Sequence, residues 1–153
     1  MLNRIIFLFF AILVSFNSFA LTQAEFNKTI PIEVKPIALK IREPFTSLAI
    51  AHLKIVNKTD TDIEIKKVTS DQARHVDFYK TYENDFGAQQ IKRTRNIFIK
   101  ANQTTLFDDG EIKIMLTGLE KKYLPGDEVL LKFHLVDYDK PIKAYIKVHP
   151  SYK

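Results

Sequence analysis

From Val129 onward the chain alternates: Val129, Leu131, Phe133 and Leu135 are interleaved with Leu130, Lys132, His134 and Val136. Ile142, Ala144, Ile146 and Val148 then alternate with Lys143, Tyr145, Lys147 and His149. A period of two sends successive side chains to opposite faces of an extended backbone, so both runs read as half-buried strands. No window shows a sustained helical period, and the domain is expected to be mostly β.

Turn chemistry divides the rest into further strands. Ile30 to Val34 and Ile37 to Ile41 are separated by Lys35 and Pro36, and Leu48 to Val56 ends at the turn signal Asn57-Lys58-Thr59-Asp60. The stretch holding Ile63, Ile65 and Val68 follows, then Val76 to Tyr79, which the turn Asn84-Asp85-Phe86-Gly87 connects to a pairing strand at Gln90 to Thr94. Beyond Ile97 and Ile99 come Thr104 to Phe107, the turn Asp108-Asp109-Gly110, and Ile112 to Leu116. In that last strand Ile112, Ile114 and Leu116 take one face, and Lys113 and Met115 project together from the other. Leu124-Pro125-Gly126-Asp127 suits a type II turn. Eight or nine short strands, with turns about every 8 to 12 residues, predict an all-β Greek-key β-sandwich.

Length and composition fit one such domain: 153 residues, 46% hydrophobic and 27% charged. The absence of cysteine excludes a disulfide framework, a thiolate metal site and a thiol nucleophile. Residues 1–20 carry one charge, Arg4, then an apolar run from Ile5 to Phe16 and small residues at Ser18 and Ala20. This is the pattern of a secretory signal peptide cleaved after Ala20, the alternative being an uncleaved anchor. Either way residues 21–153 are expected to form a single exported domain, with no stable membrane span after cleavage. The formal charge falls only from +5 to +4 when Arg4 leaves. A nucleic-acid partner is not expected of an exported, mildly basic chain. The sequons at Asn27, Asn57 and Asn102 read as accidental if the compartment is a bacterial periplasm.

The stretch from Gly110 to Leu119, with its Ile-Met-Leu-x-Gly-Leu core, followed by Leu124-Pro125-Gly126-Asp127 and Val129 to Phe133, resembles the PCu(A)C periplasmic copper chaperone family. Ala51 to Asn57 looks like that family's second strand with its terminal Asn, and Ala73 to Tyr79 occupies the segment ending in its first copper ligand. The resemblance covers most of residues 30–148. It implies a cupredoxin-like fold and Cu(I) held by His, then Met, then a His-x-Met pair. It also implies a periplasmic role in copper handling, such as delivery to a respiratory oxidase through an assembly factor or another periplasmic protein.

Position by position, Met115 is the only retained ligand. Lys113 stands in place of the preceding His, Ile91 in place of the upstream Met, and Tyr79 in place of the first His. Ile91 has no donor atom, Lys113 carries a proton near neutral pH, and Tyr79 offers a hard phenol, whereas Cu(I) is a soft ion. Cu(I) binding is therefore expected to be weak or absent, and no other cofactor is indicated. His52, His75, His134 and His149 show no metal-ligand spacing. A second reading is a copper-independent binding or adaptor module, with Lys113 and Arg93, and Tyr79 alongside, forming a cationic face for an anionic ligand or protein partner. No catalytic motif is present, the acidic pairs sit where turns need them, and an enzyme is not expected.

Overall fold

The computed structural model describes residues 30–42 and 47–150. The chain divides into Met1–Ile30 and Pro31–Lys153, and every strand among the described residues lies in the second unit. The signal peptide expected over residues 1–20 lies outside the described residues.

Among the described residues the secondary structure is ten strands: β1 (Ile32–Ile41), β2 (Leu48–Asn57), β3 (Ile63–Thr69), β4 (Ala73–Glu83), β5 (Gln89–Thr94), β6 (Ile97–Ile99), β7 (Thr104–Phe107), β8 (Ile112–Leu119), β9 (Glu128–Leu135) and β10 (Ile142–His149). They follow the order β5-β4-β8-β2-β1-β10-β9-β3-β6, with β7 also on β2. Two sheets result, β5-β4-β8-β2-β1 with β7 and β10-β9-β3-β6, joined where β1 and β10 pair in parallel through Leu39 with Val148 and Lys40 with His149. The all-β sandwich expected from the alternation is what forms.

Each sheet turns its apolar face inward. Leu39, Leu53, Ile55, Phe107, Ile114 and Leu116 from the first sheet and Ile65, Ile97, Ile99, Leu131, Phe133 and Ile146 from the second are almost wholly excluded from solvent. Each such side chain contributes about 1.5–3 kcal/mol of burial free energy. Phe78 and Phe107 meet at a ring separation of 6.1 Å, tilted by 39°. Lys143, Tyr145 and Lys147 remain exposed between buried Ala144, Ile146 and Val148, as the period of two requires.

The turns follow their residues. Asp127 N–H donates to the Leu124 carbonyl at 3.0 Å, with Gly126 at φ +96°, the left-handed position of a type II turn. One expectation needs correcting: the two segments on either side of Lys35 and Pro36 are a single strand. A register shift between Pro36 and Ala38 absorbs the proline, which cannot donate to the ladder.

Candidate functional site

The site positions lie on the outward face of the first sheet. Ile114 and Leu116 are fully buried, so the intervening Lys113 and Met115 point away from the core. Across the β4–β8 ladder Tyr79 stands opposite Lys113, Asp77 opposite Met115 and His75 opposite Thr117. Across β4–β5, Arg93 stands opposite Tyr79 and Ile91 opposite Thr81. Arg93, Tyr79 and Lys113 thus form one transverse row.

Beta-strand 2 completes the face. Met115 pairs with Ile50, and His52 lies two residues further along, between the core residues Ala51 and Leu53 and pointing the opposite way. At His52 the neighbour of β2 changes: β8 pairs with it through Ala51, and β7 takes over from Leu53. The segment joining β7 to β8 emerges at this changeover. Asp108 shapes it, accepting from Gly110 N–H at 2.7 Å while donating its own N–H to the Ile112 carbonyl at 3.0 Å. Thr81 ties it to β4, its hydroxyl on the Gly110 carbonyl and its N–H on the Glu111 carbonyl, both at 2.8 Å.

Asp109 is thereby brought over the face. Its carbonyl accepts from Lys113 Nζ at 2.7 Å, and its carboxylate Oδ2 lies 3.2 Å from His52 Nε2 and 3.8 Å from Lys40 Nζ. Lys113 is only 6% exposed and His52 only 9%. His52 Nε2 is fully enclosed and, although close to Asp109, is not aligned for a hydrogen bond. Burial, and then the nearby Lys40 charge, lower the His52 pKa, outweighing the opposite pull of Asp109 and Asp108. The imidazole is neutral at neutral pH.

The row of cations is internally engaged. Arg93 donates through Nε at 2.9 Å and Nη2 at 2.6 Å to Asp77 Oδ1, and Lys113 donates to the Asp109 carbonyl. Ile91 is 55% exposed and remote from Met115. Two strand spacings and four residues of offset, at about 4.8 Å and 3.3 Å each, separate their Cα atoms by roughly 16 Å. The register therefore brings Tyr79, Lys113, Met115 and Arg93 together and leaves Ile91 outside any shared ion-sized site. Among the described residues no three His, Asp or Glu side chains converge as metal ligands.

Sequence reasoning missed His52, Asp109 and Asp77. The one polar residue between Leu48 and Leu53 was a signal for His52, whereas only the fold reveals that Asp109 leaves its turn to reach the sheet.

This cupredoxin-like sandwich shares its fold with PCuAC domains of known structure. The chain superposes on a copper-bound PCuAC domain from PmoF2 with TM-score 0.61 at 16% identity, covering 78% of this chain and 92% of that one. The solution structure of CuI-DR1885 from Deinococcus radiodurans matches with TM-score 0.64 at 17% identity, over 80% of this chain and 81% of that one. The apo PCuAC domain from PmoF1 gives 0.62 at 13% identity, over 78% and 95%. At these identities the likeness is one of fold. The family described as "Putative lipoprotein LpqE-like" matches residues 32–142, and the chain belongs to that LpqE-like family. None of the curated proteins matches the sequence.

Proposed function

We propose that this LpqE-like chain is an exported, non-enzymatic accessory protein in periplasmic copper handling. It acts through a protein partner such as a respiratory oxidase assembly factor, and its own face holds Cu(I) weakly or not at all. Residues 1–20 serve as its signal peptide and residues 21–153 as its working domain.

The observation carrying this reading is the buried Lys113 ammonium beside Met115, where the PCu(A)C resemblance calls for a neutral imidazole. A monovalent cation held about 4 Å from that ammonium would be opposed by roughly 4 kcal/mol at an effective dielectric near 20, about a thousandfold in affinity. Thioether sulfur alone does not offset that repulsion. An anionic small ligand is also disfavoured, because it would have to displace Asp77 from Arg93 and the Asp109 carbonyl from Lys113.

One observation favours a second reading. His52 is neutral, enclosed and without a hydrogen-bond partner at Nε2, and it shares the face with the Met115 thioether. Imidazole and thioether are both suited to Cu(I). Competition of the purified protein for Cu(I) against a chromogenic chelator separates the readings, with Met115→Ala and His52→Ala as controls. The accessory reading expects no competition in the submicromolar range. Submicromolar binding that either control abolishes would make the face a copper carrier.

A further inference from the structure

The outward face of the second sheet, on the other side of the sandwich, carries a different chemistry. Across β9–β10 Lys143 stands directly opposite Lys132, Tyr145 opposite Leu130 and Lys147 opposite Glu128. Across β3–β9 Lys67 stands opposite His134, and Thr69 opposite Lys132. Lys67, Lys132 and Lys143 therefore lie to one side of the Tyr145–Leu130 row, and Lys147 with Glu128 to the other, with Tyr145 59% exposed between them.

Like charges placed directly opposite destabilise a sheet, and this pairing is only partly compensated. Asp71 takes Lys132 at 2.5 Å, while no ion pair engages Lys67, Lys143 or Lys147 among the described residues. His134 registers the same field: after burial, the causes lowering its pKa are the charges of Lys67 and Lys132, although its Nε2 keeps a 2.9 Å contact with the Thr69 hydroxyl. Lysines on flexible stems around an amphipathic ring form a surface suited to the boundary between water and an anionic bilayer, the ring at headgroup depth and the ammonium groups on phosphates.

The family description supplies an independent reason to look for a membrane contact. A lipoprotein carries its lipid on a cysteine thiol, and none of these 153 residues is cysteine. Lipid attachment through a thiol is therefore not available to these residues.

We propose that the β3–β9–β10 face docks on an anionic phospholipid membrane, with Lys67, Lys143 and Lys147 donating to headgroup phosphates and Tyr145 resting among the headgroups. The proposal rests on the exported location given above but not on the copper assignment, and vesicle binding and Cu(I) competition can fail separately.

The test is flotation of the processed protein, collected from the exported fraction with its N-terminus read by mass spectrometry. The vesicles are phosphatidylcholine, with and without phosphatidylglycerol. Binding is expected only with phosphatidylglycerol and should weaken as salt is raised. At about fivefold per lysine, Lys143→Gln with Lys147→Gln should weaken it roughly thirtyfold. Lys92→Gln with Arg95→Gln removes the same charge at β5 and just beyond it, and should leave binding within about twofold. Circular dichroism establishes that each variant is folded, and these exposed neutral changes are expected to be tolerated. Equal loss in both double variants would reduce the effect to net charge and overturn the proposal. So would binding without preference for phosphatidylglycerol, or no binding to either vesicle.

Discussion

Lys113 lies directly across the β4–β8 ladder from Tyr79, and its ammonium is spent on the Asp109 carbonyl 2.7 Å away. Opposed residues of an antiparallel pair have Cβ atoms about 4.5–5.5 Å apart, and Met115 follows Lys113 on the same face at the next period. Imidazoles at positions 79 and 113 would therefore converge with an existing thioether. Tyr79→His combined with Lys113→His should raise Cu(I) affinity at least tenfold in a chelator competition. Adding Ile91→Met should contribute nothing further, because the register holds that residue opposite Thr81. A large extra gain from the third change would refute the register argument.

Stability should decline as pH falls from 7 towards 5. The pKa of His52 is lowered by burial and then by Lys40, and that of His134 by burial and then by Lys67 and Lys132. The unfolded chain takes up both protons near the ordinary value of 6.5, and the folded chain only at lower pH. Their contribution is therefore complete above about pH 6.5 and disappears as pH drops through the folded values. Glu33, lowered mainly by its Lys58 hydrogen bond, and Asp62, lowered mainly by Lys100, act below their ordinary 4.5 and 3.8. Urea midpoints at pH 7, 6 and 5 should fall for the wild type and change less for His52→Leu with His134→Gln. Parallel slopes in the two proteins would contradict the assignment.

Gly118 explains the glycine of the Ile-Met-Leu-x-Gly-Leu stretch. It sits within β8 at φ +67°, and a Cβ there would meet Arg74 Cβ at 2.8 Å. Because the obstructing atom is not the far end of a flexible side chain, β4 itself would have to shift. Gly118→Ala should cost about 2 kcal/mol, read as a lower urea midpoint at unchanged slope. Arg74→Ala should not rescue it, since its Cβ remains.

Asn57 is a buried polar knot at the end of β2, 1% exposed. Its Nδ2 donates to the Thr61 carbonyl at 2.8 Å and the Ile99 carbonyl at 3.0 Å, and its Oδ1 accepts from Thr59 N–H at 2.9 Å and the Thr59 hydroxyl at 2.8 Å. Asn57→Ala should cost roughly 2–3 kcal/mol in chemical denaturation, the toll of leaving buried groups unpaired. Asn57→Asp should cost no less, because it turns a carboxylate oxygen towards two carbonyls. The same enclosure withholds this sequon's nitrogen from modification in the folded domain.

How much of this was legible in the sequence depended on whether a signal was local. The alternation of β8, β9 and β10 fixes which residues face inward without reference to any other part of the chain. Asn84 and Gly126 likewise announce turns through their own chemistry, and Gly87 N–H does donate to the Asn84 carbonyl at 2.9 Å. Pro36 misled because a bulge can absorb a missing donor, and whether a bulge forms is decided by the partner strand. The site was harder still. That Tyr79 meets Lys113 rather than Ile91 is a matter of register between strands, and counting along the chain does not give it. Arg93 and Asp77 lie 16 residues apart in sequence, so their ion pair was equally invisible. Asp108 and Asp109 are neighbours with the same side chain, yet one shapes the turn and the other reaches over to His52.

The parallel seam between β1 and β10 joins the first strand to the last, Leu39 to Val148. No shorter N-terminal fragment can make that pairing, so a nascent chain has an unclosed sandwich until its final strand is available. At roughly 5–20 residues per second, synthesis of such a chain takes about 8–30 s. Contacts this distant in sequence are also slow to form. Under the export proposed above, the seam would act as a timer, keeping the polypeptide threadable until its last strand has been delivered.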